Sequence, residues 1–216
     1  MNWKLPNQLT VGRIGLAAGF FVLVGLYEHG APGSAALLNV AFVVYIIAGI
    51  TDVLDGYLAR KLNLTSAFGR IVDPFVDKVL VVGAFVMLTG SNFAFPAGAD
   101  VPDRQMPTWL TGGMLTGVQA WMVVAILARE FVVSAVRGYS ESRGVKFPAI
   151  PAGKIKMAVQ SVAICVVLFQ MANGPHTLWA AYVKVVLVWL AFAVTVLSGL
   201  AYVGKARRLM TMEEDD

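Results

Sequence analysis

Six stretches of the chain are apolar over about the 20 residues that a membrane-crossing helix needs. They fall at 9–27, 35–58, 67–90, 115–137, 154–172 and 178–203. The breaks between them carry turn chemistry. Glu28 to Ser34 holds Gly30, Pro32 and Gly33, Ser91 to Pro107 holds three prolines, and Asn173-Gly-Pro-His176 suits a tight turn. The pattern predicts an all-α polytopic membrane protein of six transmembrane helices, one domain over 1–216. Residues 1–8 are expected to form a short interfacial segment, with Trp3 and Lys4 at headgroup depth. The six-helix bundle then occupies 9–203, and 204–216 forms a solvated, frayed cytoplasmic tail. The first run is expected to be a retained helix, because no small-residue cleavage site and polar domain follow it.

Composition supports the membrane reading. The chain is 58% hydrophobic and 14% charged, against roughly 45–50% and about 25% in soluble domains. The net charge of +4 matters less than its distribution. Lys4, Arg13, Arg60, Lys61, Arg143, Lys146, Lys154, Lys205, Arg207 and Arg208 fall on one set of loops and ends. The opposite loops hold Arg104 beside Glu28, Asp100 and Asp103. The positive-inside rule then puts both termini in the cytoplasm, as an even helix count requires. The single cysteine, Cys165, allows no intrachain disulfide. No nucleic-acid partner is expected.

Against this apolar background stand four aspartates. Asp52-Val-Leu-Asp55-Gly56-Tyr-Leu-Ala59-Arg60 is followed by eight residues, then Gly69, Asp73 and Asp77. One charge near the bilayer centre costs about 2.5–3.5 kcal/mol on insertion scales, and four carboxylates also repel one another. At about 100° per residue, Asp52, Asp55, Gly56, Ala59 and Arg60 share a sector of roughly 140°. Asp73 and Asp77 share a face by their spacing of four, with Gly69 one turn earlier. The short intervening loop makes the second and third helices antiparallel neighbours, so the two carboxylate pairs can face each other. Gly56 and Ala59 remove bulk on the same face, and Pro74 can open the backbone nearby. Clustered Asp oxygens suit Mg²⁺ or Mn²⁺ rather than zinc. The residues alone leave an alternative open: an ion-pair network in which Arg60, Arg70 and Lys78 neutralise the acids.

Asp-x-x-Asp-Gly-x-x-Ala-Arg, eight residues, then Gly-x-x-x-Asp-x-x-x-Asp resembles the signature of the CDP-alcohol phosphotransferase family, which residues 52–77 match without a departure. The resemblance implies a homodimer of six-helix chains and a two-metal site that takes a cytidine diphosphate-linked lipid. By that likeness Asp52, Asp55, Asp73 and Asp77 hold two ions, Mg²⁺ or Mn²⁺. Gly56, Ala59 and Gly69 make room for the nucleotide, Arg60 engages the diphosphate, and Asp77 is also the catalytic base. The chemistry is coherent on its own terms. Two divalent ions can stabilise the charge that develops when CMP is displaced from a pyrophosphate, and a nearby carboxylate can deprotonate the attacking alcohol. No Walker loop, HExxH or GxGxxG stands in the sequence.

A second basic cluster follows: Arg129-Glu130, Arg137, Arg143, Lys146 and Gly153-Lys154-Ile-Lys156. The positive-inside rule covers Arg143 and Lys146. It does not cover Arg129, well inside its helix, which calls for an anionic partner: Glu130 or a substrate phosphate. The cluster resembles the phosphatidylglycerophosphate synthase branch of the family, as does Pro6-Asn7-Gln-Leu-Thr10-Val-Gly-Arg13-Ile, although Met157 stands where a Thr is usual. That likeness implies CDP-diacylglycerol as donor and sn-glycerol 3-phosphate as acceptor, its phosphate held by Arg129, Arg137, Lys154 and Lys156. The runner-up is an inositol-phosphate acceptor. A cation transporter using the same aspartates is the rival from another class. The expected location is a bacterial inner membrane with the site facing the cytoplasm.

Other features carry blander expectations. Gly15-Leu-Ala-Ala-Gly19 and Gly113-Met-Leu-Thr-Gly117 are small-xxx-small patterns for helix packing or dimer contacts. His29 and His176 lie at turns away from the acids, and Lys184 is expected to snorkel to the outer surface.

Overall fold

The computed structural model describes residues 5–62, 67–98, 100–143, 151–174 and 177–214. Within these, the side chains of 5–9, 55–62, 67–74, 141 and 205–214 are outside the description. The described residues are helical throughout, apart from turns and one isolated bridge between Ala94 and Met114. In chain order the helices are α1 (Leu5–Gly25), α2 (Ser34–Leu62), α3 (Ala67–Met87), the single turn α4 (Thr108–Thr111), α5 (Ala120–Ser142), α6 (Pro151–Asn173) and α7 (Leu178–Glu214). α1 packs on α2 and α3, α6 on α2 and α7, and α5 on α7 and α3.

Among the described residues, three segments are long and apolar enough to cross a membrane: Ser34–Leu54, Pro151–Asn173 and Leu178–Gly204. Their outer faces stay apolar, as in helices surrounded by lipid: Val40 on α2, Val162 on α6 and Leu197 on α7 are all exposed. The inner faces close around Phe20, Leu38, Phe85, Met122, Ile164 and Leu168, each fully buried.

Several expected boundaries move. α1 opens at Leu5, so residues 5–8 continue the first helix, while Trp3 and Lys4 lie outside the described residues. The fifth helix begins at Ala120 rather than at 115. Gly112, Gly113 and Gly117 take φ of +63°, +77° and +69°, left-handed conformations that no helix accepts. A Cβ on Gly117 would also lie 2.8 Å from Val185 Cγ2. Gly113 and Gly117 are therefore turn residues, not a helix-packing stripe. Around Gly15 and Gly19 a Cβ would meet nothing within 4 Å, so no described helix packs closely there.

At the other terminus α7 continues to Glu214 where a frayed tail was expected. Its last turns lack Pro and are rich in Lys, Arg, Leu, Met and Glu, all good helix formers. Lys184 does not snorkel. It is buried and pairs at 2.8 Å with Asp103, itself buried in the connector between α3 and α5. Neither charge would be stable there without the other.

Candidate active site

α1, α2 and α3 converge on one arginine. Arg13, on α1, is only 2% exposed. Its Nη1 donates to Asp52 Oδ1 on α2 and, at 2.7 Å, to Asp77 Oδ1 on α3. The two carboxylates remain a third and a quarter exposed. An apolar sequence can fold two acids together only around a positive charge, and here that charge comes from a helix that the four-aspartate motif does not include. Asp55 lies one turn beyond Asp52 on α2, and Asp73 one turn before Asp77 on α3. The side chains of Asp55, Asp73, Gly56, Ala59, Arg60 and Gly69 lie outside the described residues.

Asp52 and Asp77 are residues that could hold a divalent cation. Carboxylates from two separate helices reach a single cationic nitrogen, so their oxygens already share one electropositive point. Hard oxygen donors of this kind suit Mg²⁺ or Mn²⁺. Among the described residues no three acidic, His or Cys side chains converge, the described part of the expected set being Asp52 and Asp77. Of the alternative network, Lys78 donates to Ser134 on α5, and the side chains of Arg60 and Arg70 lie outside the described residues. Among the described residues Arg13 is a cation that meets Asp52 and Asp77.

Asp52 and Asp77 stand in the wall of a cavity of about 550 Å³ between α1, α2, α3 and α6, within the range of small-molecule sites. Its polar end is Arg13, Asp52 and Asp77, and its walls are largely apolar, with Ile50, Val53 and Leu80 among them. Asp77 also lines a second cavity of about 210 Å³ with Lys78, Glu130, Arg137 and Lys156. One carboxylate thus borders two chambers, one largely apolar and one rich in charge.

The predicted basic residues divide between the second chamber and its surroundings. Arg137 and Lys156 line it. Lys156 is buried and donates to Glu130 Oε1, which also accepts from Arg129 at 2.8 Å. Arg129 turns toward α7, donating to Ser198 Oγ at 3.0 Å and lying over the Tyr202 ring at 5.5 Å. Lys154 is exposed and is not among the residues that line either chamber. Helix geometry accounts for the division. Residues two apart point about 200° from each other, so Lys154 and Lys156 cannot share a face, whereas Glu130 and Arg137, seven apart, differ by only about 20°. Glu130, Ser134 and Arg137 consequently make one polar stripe on α5. His29 stands elsewhere, its Nδ1 3.0 Å from the Tyr27 hydroxyl. His176 lies outside the described residues.

Comparison with known proteins bears on what two such chambers do. Residues 3–197 match the family profile described as CDP-alcohol phosphatidyltransferase. The chain is 32% identical over 209 residues to the CDP-diacylglycerol–glycerol-3-phosphate 3-phosphatidyltransferase of Bacillus subtilis, covering 94% of this chain and 95% of that one. It is 30% identical over 199 residues to the protein of the same name from Rickettsia bellii, covering 92% and 93%. Against the Shigella flexneri protein of that name it is 29% identical over 209 residues, covering 96% and 97%.

Proposed function

Since this chain belongs to the CDP-alcohol phosphatidyltransferase family and is a transferase, we propose that it moves the phosphatidyl group of CDP-diacylglycerol to sn-glycerol 3-phosphate, giving phosphatidylglycerophosphate and CMP. The observation that carries this reading is the position of Asp77 between the two chambers. The larger, apolar-walled chamber suits the diphosphate and upper acyl region of a lipid. The smaller one, with Arg137 and Lys156, suits a compact phosphomonoester.

In this reading the acceptor hydroxyl oxygen forms a bond to the lipid phosphorus. The bond from that phosphorus to the bridging oxygen breaks, and CMP leaves with the electron pair. The Asp77 carboxylate takes the hydroxyl proton, a contribution typically of about 10²–10⁴ in rate. Asp52, Asp55, Asp73 and Asp77 would hold the divalent ions, Arg60 would meet the diphosphate, and Gly56, Ala59 and Gly69 would leave space for the nucleotide. When bound, two ions would offset charge on the phosphoryl and leaving oxygens. Arg13 keeps Asp52 and Asp77 together from the third side. Arg129 acts on the acceptor chamber through Glu130, which it holds at 2.8 Å, while Lys154 is exposed and does not line it.

The reading extends to the membrane. α1, α3 and α5 cross it beside the three clearly apolar helices, each with charge inside its apolar run, among them Arg13 on α1, Asp77 and Lys78 on α3, and Arg129, Glu130 and Arg137 on α5. The basic flanks put both termini and the site on the cytoplasmic side, in the inner membrane of a bacterium, where the chain works as a homodimer.

Two measurements test the acceptor. In a panel with CDP-diacylglycerol as donor, sn-glycerol 3-phosphate should be used in preference to inositol phosphate and to unphosphorylated glycerol; a preference for inositol phosphate would move the assignment to the runner-up. Arg137→Ala should raise the KM for glycerol 3-phosphate by about tenfold, corresponding to about 1.4 kcal/mol, and leave the KM for CDP-diacylglycerol within about twofold. Equal shifts in both would remove Arg137 from acceptor binding.

A further inference from the structure

The acceptor chamber contains a cation that none of the four predicted basic positions supplies. Lys78 follows Asp77 directly on α3 and is half-buried in the wall shared with Arg137 and Lys156. Its ammonium donates to Ser134 Oγ on α5, and that hydroxyl in turn donates to the Glu130 carbonyl at 2.6 Å. The ammonium is thereby positioned by a neutral group. Among the described residues no carboxylate lies within ion-pair distance of it, and the nearby acid Glu130 is already engaged by Arg129 and Lys156. With no described carboxylate within ion-pair distance, a lysine at this depth is costly, and an anion in the chamber would offset that cost.

We propose that Lys78, held by Ser134, binds the phosphate of the acceptor together with Arg137 and Lys156. This rests on the reading of a phosphomonoester acceptor given above. The placement has a mechanistic consequence. Because Lys78 adjoins Asp77 on the same helix turn, the cation that anchors the phosphate and the carboxylate that receives the proton move as one rigid unit. A short phosphorylated alcohol anchored by Lys78 has its hydroxyl directed toward Asp77, whereas an alcohol without phosphate lacks the anchor. Lys78 therefore sets the requirement for a charged acceptor as well as its affinity.

The test uses the full chain in detergent or vesicles. In the unaltered protein, modification of Lys78 by an amine-reactive acylating reagent is followed by mass spectrometry as glycerol 3-phosphate is added. Saturating acceptor should slow modification at Lys78 by about fivefold or more, and glycerol should not. Lys78→Met should raise the KM for glycerol 3-phosphate by about tenfold or more with the KM for CDP-diacylglycerol nearly unchanged, while Lys78→Arg should recover most of the loss. Ser134→Ala, which keeps the charge and removes its tether, should give a smaller rise in the same constant. Unslowed modification at saturating acceptor, or equal changes in both KM values, would overturn the role of Lys78 while leaving the transferase reading in place. Transfer to unphosphorylated glycerol as efficient as to glycerol 3-phosphate would overturn both.

Discussion

Asp77→Asn should reduce phosphatidyl transfer by about three orders of magnitude or more while the protein still inserts and still binds CDP-diacylglycerol weakly. The side chain has three tasks in one place. It borders both chambers, it accepts a hydrogen bond from Arg13 at 2.7 Å, and it is the proposed acceptor of the hydroxyl proton. The amide keeps the shape and loses the basicity and the charge, so the proton has no nearby destination. Weak donor binding should persist because Asp52, Asp55 and Asp73 keep their charges. Donor affinity read by calorimetry, beside the rate of CMP release, separates the tasks. Transfer close to that of the parent would remove Asp77 from the mechanism.

The second large effect concerns stability. Arg13→Met should lower the unfolding free energy of the chelator-treated protein by about 3 kcal/mol, the lower end for breaking a buried ion pair. The two carboxylates it meets retain partial access to water, which limits the penalty. Added Mg²⁺ or Mn²⁺ should recover more stability in this variant than in the parent, because the ion supplies the missing positive charge. A denaturation series with and without the metal reads this directly. An unchanged midpoint in chelator would show that Arg13 does not hold Asp52 and Asp77 together.

The sequence marks Asp52 and Asp77, the two described acids of this site, more clearly than the cation that joins them. The aspartates are legible because their spacing lies within two consecutive helices, where a period of about 3.6 residues converts sequence distance into a shared face. Arg13 meets the same acids from 39 and 64 residues away, a separation on which helical periodicity is silent. In the sequence it stands among the flanking cations and within the Pro6–Ile14 stretch that resembles the synthase branch, and neither points to the acids. Lys154 and Lys156 show a different limit: a cluster along the sequence is divided by the helix that carries it. The run at 115–137 was placed too early because hydropathy does not register φ, and Gly112, Gly113 and Gly117 turn the chain before α5 can begin. Lys184 was assigned to the surface because its buried partner, Asp103, lies in a connector whose fold no periodicity describes.

The activity proposed is a metal-dependent transfer between a CDP-linked lipid and a phosphorylated alcohol. Its most direct test is a single assay on the purified protein in vesicles, with CDP-diacylglycerol and sn-glycerol 3-phosphate present and CMP and phosphatidylglycerophosphate both quantified. Equal molar amounts of the two products should form, vanish in excess chelator and return with Mg²⁺ or Mn²⁺. Full turnover in excess chelator, or metal-ion flux across the vesicle without release of CMP, would contradict it.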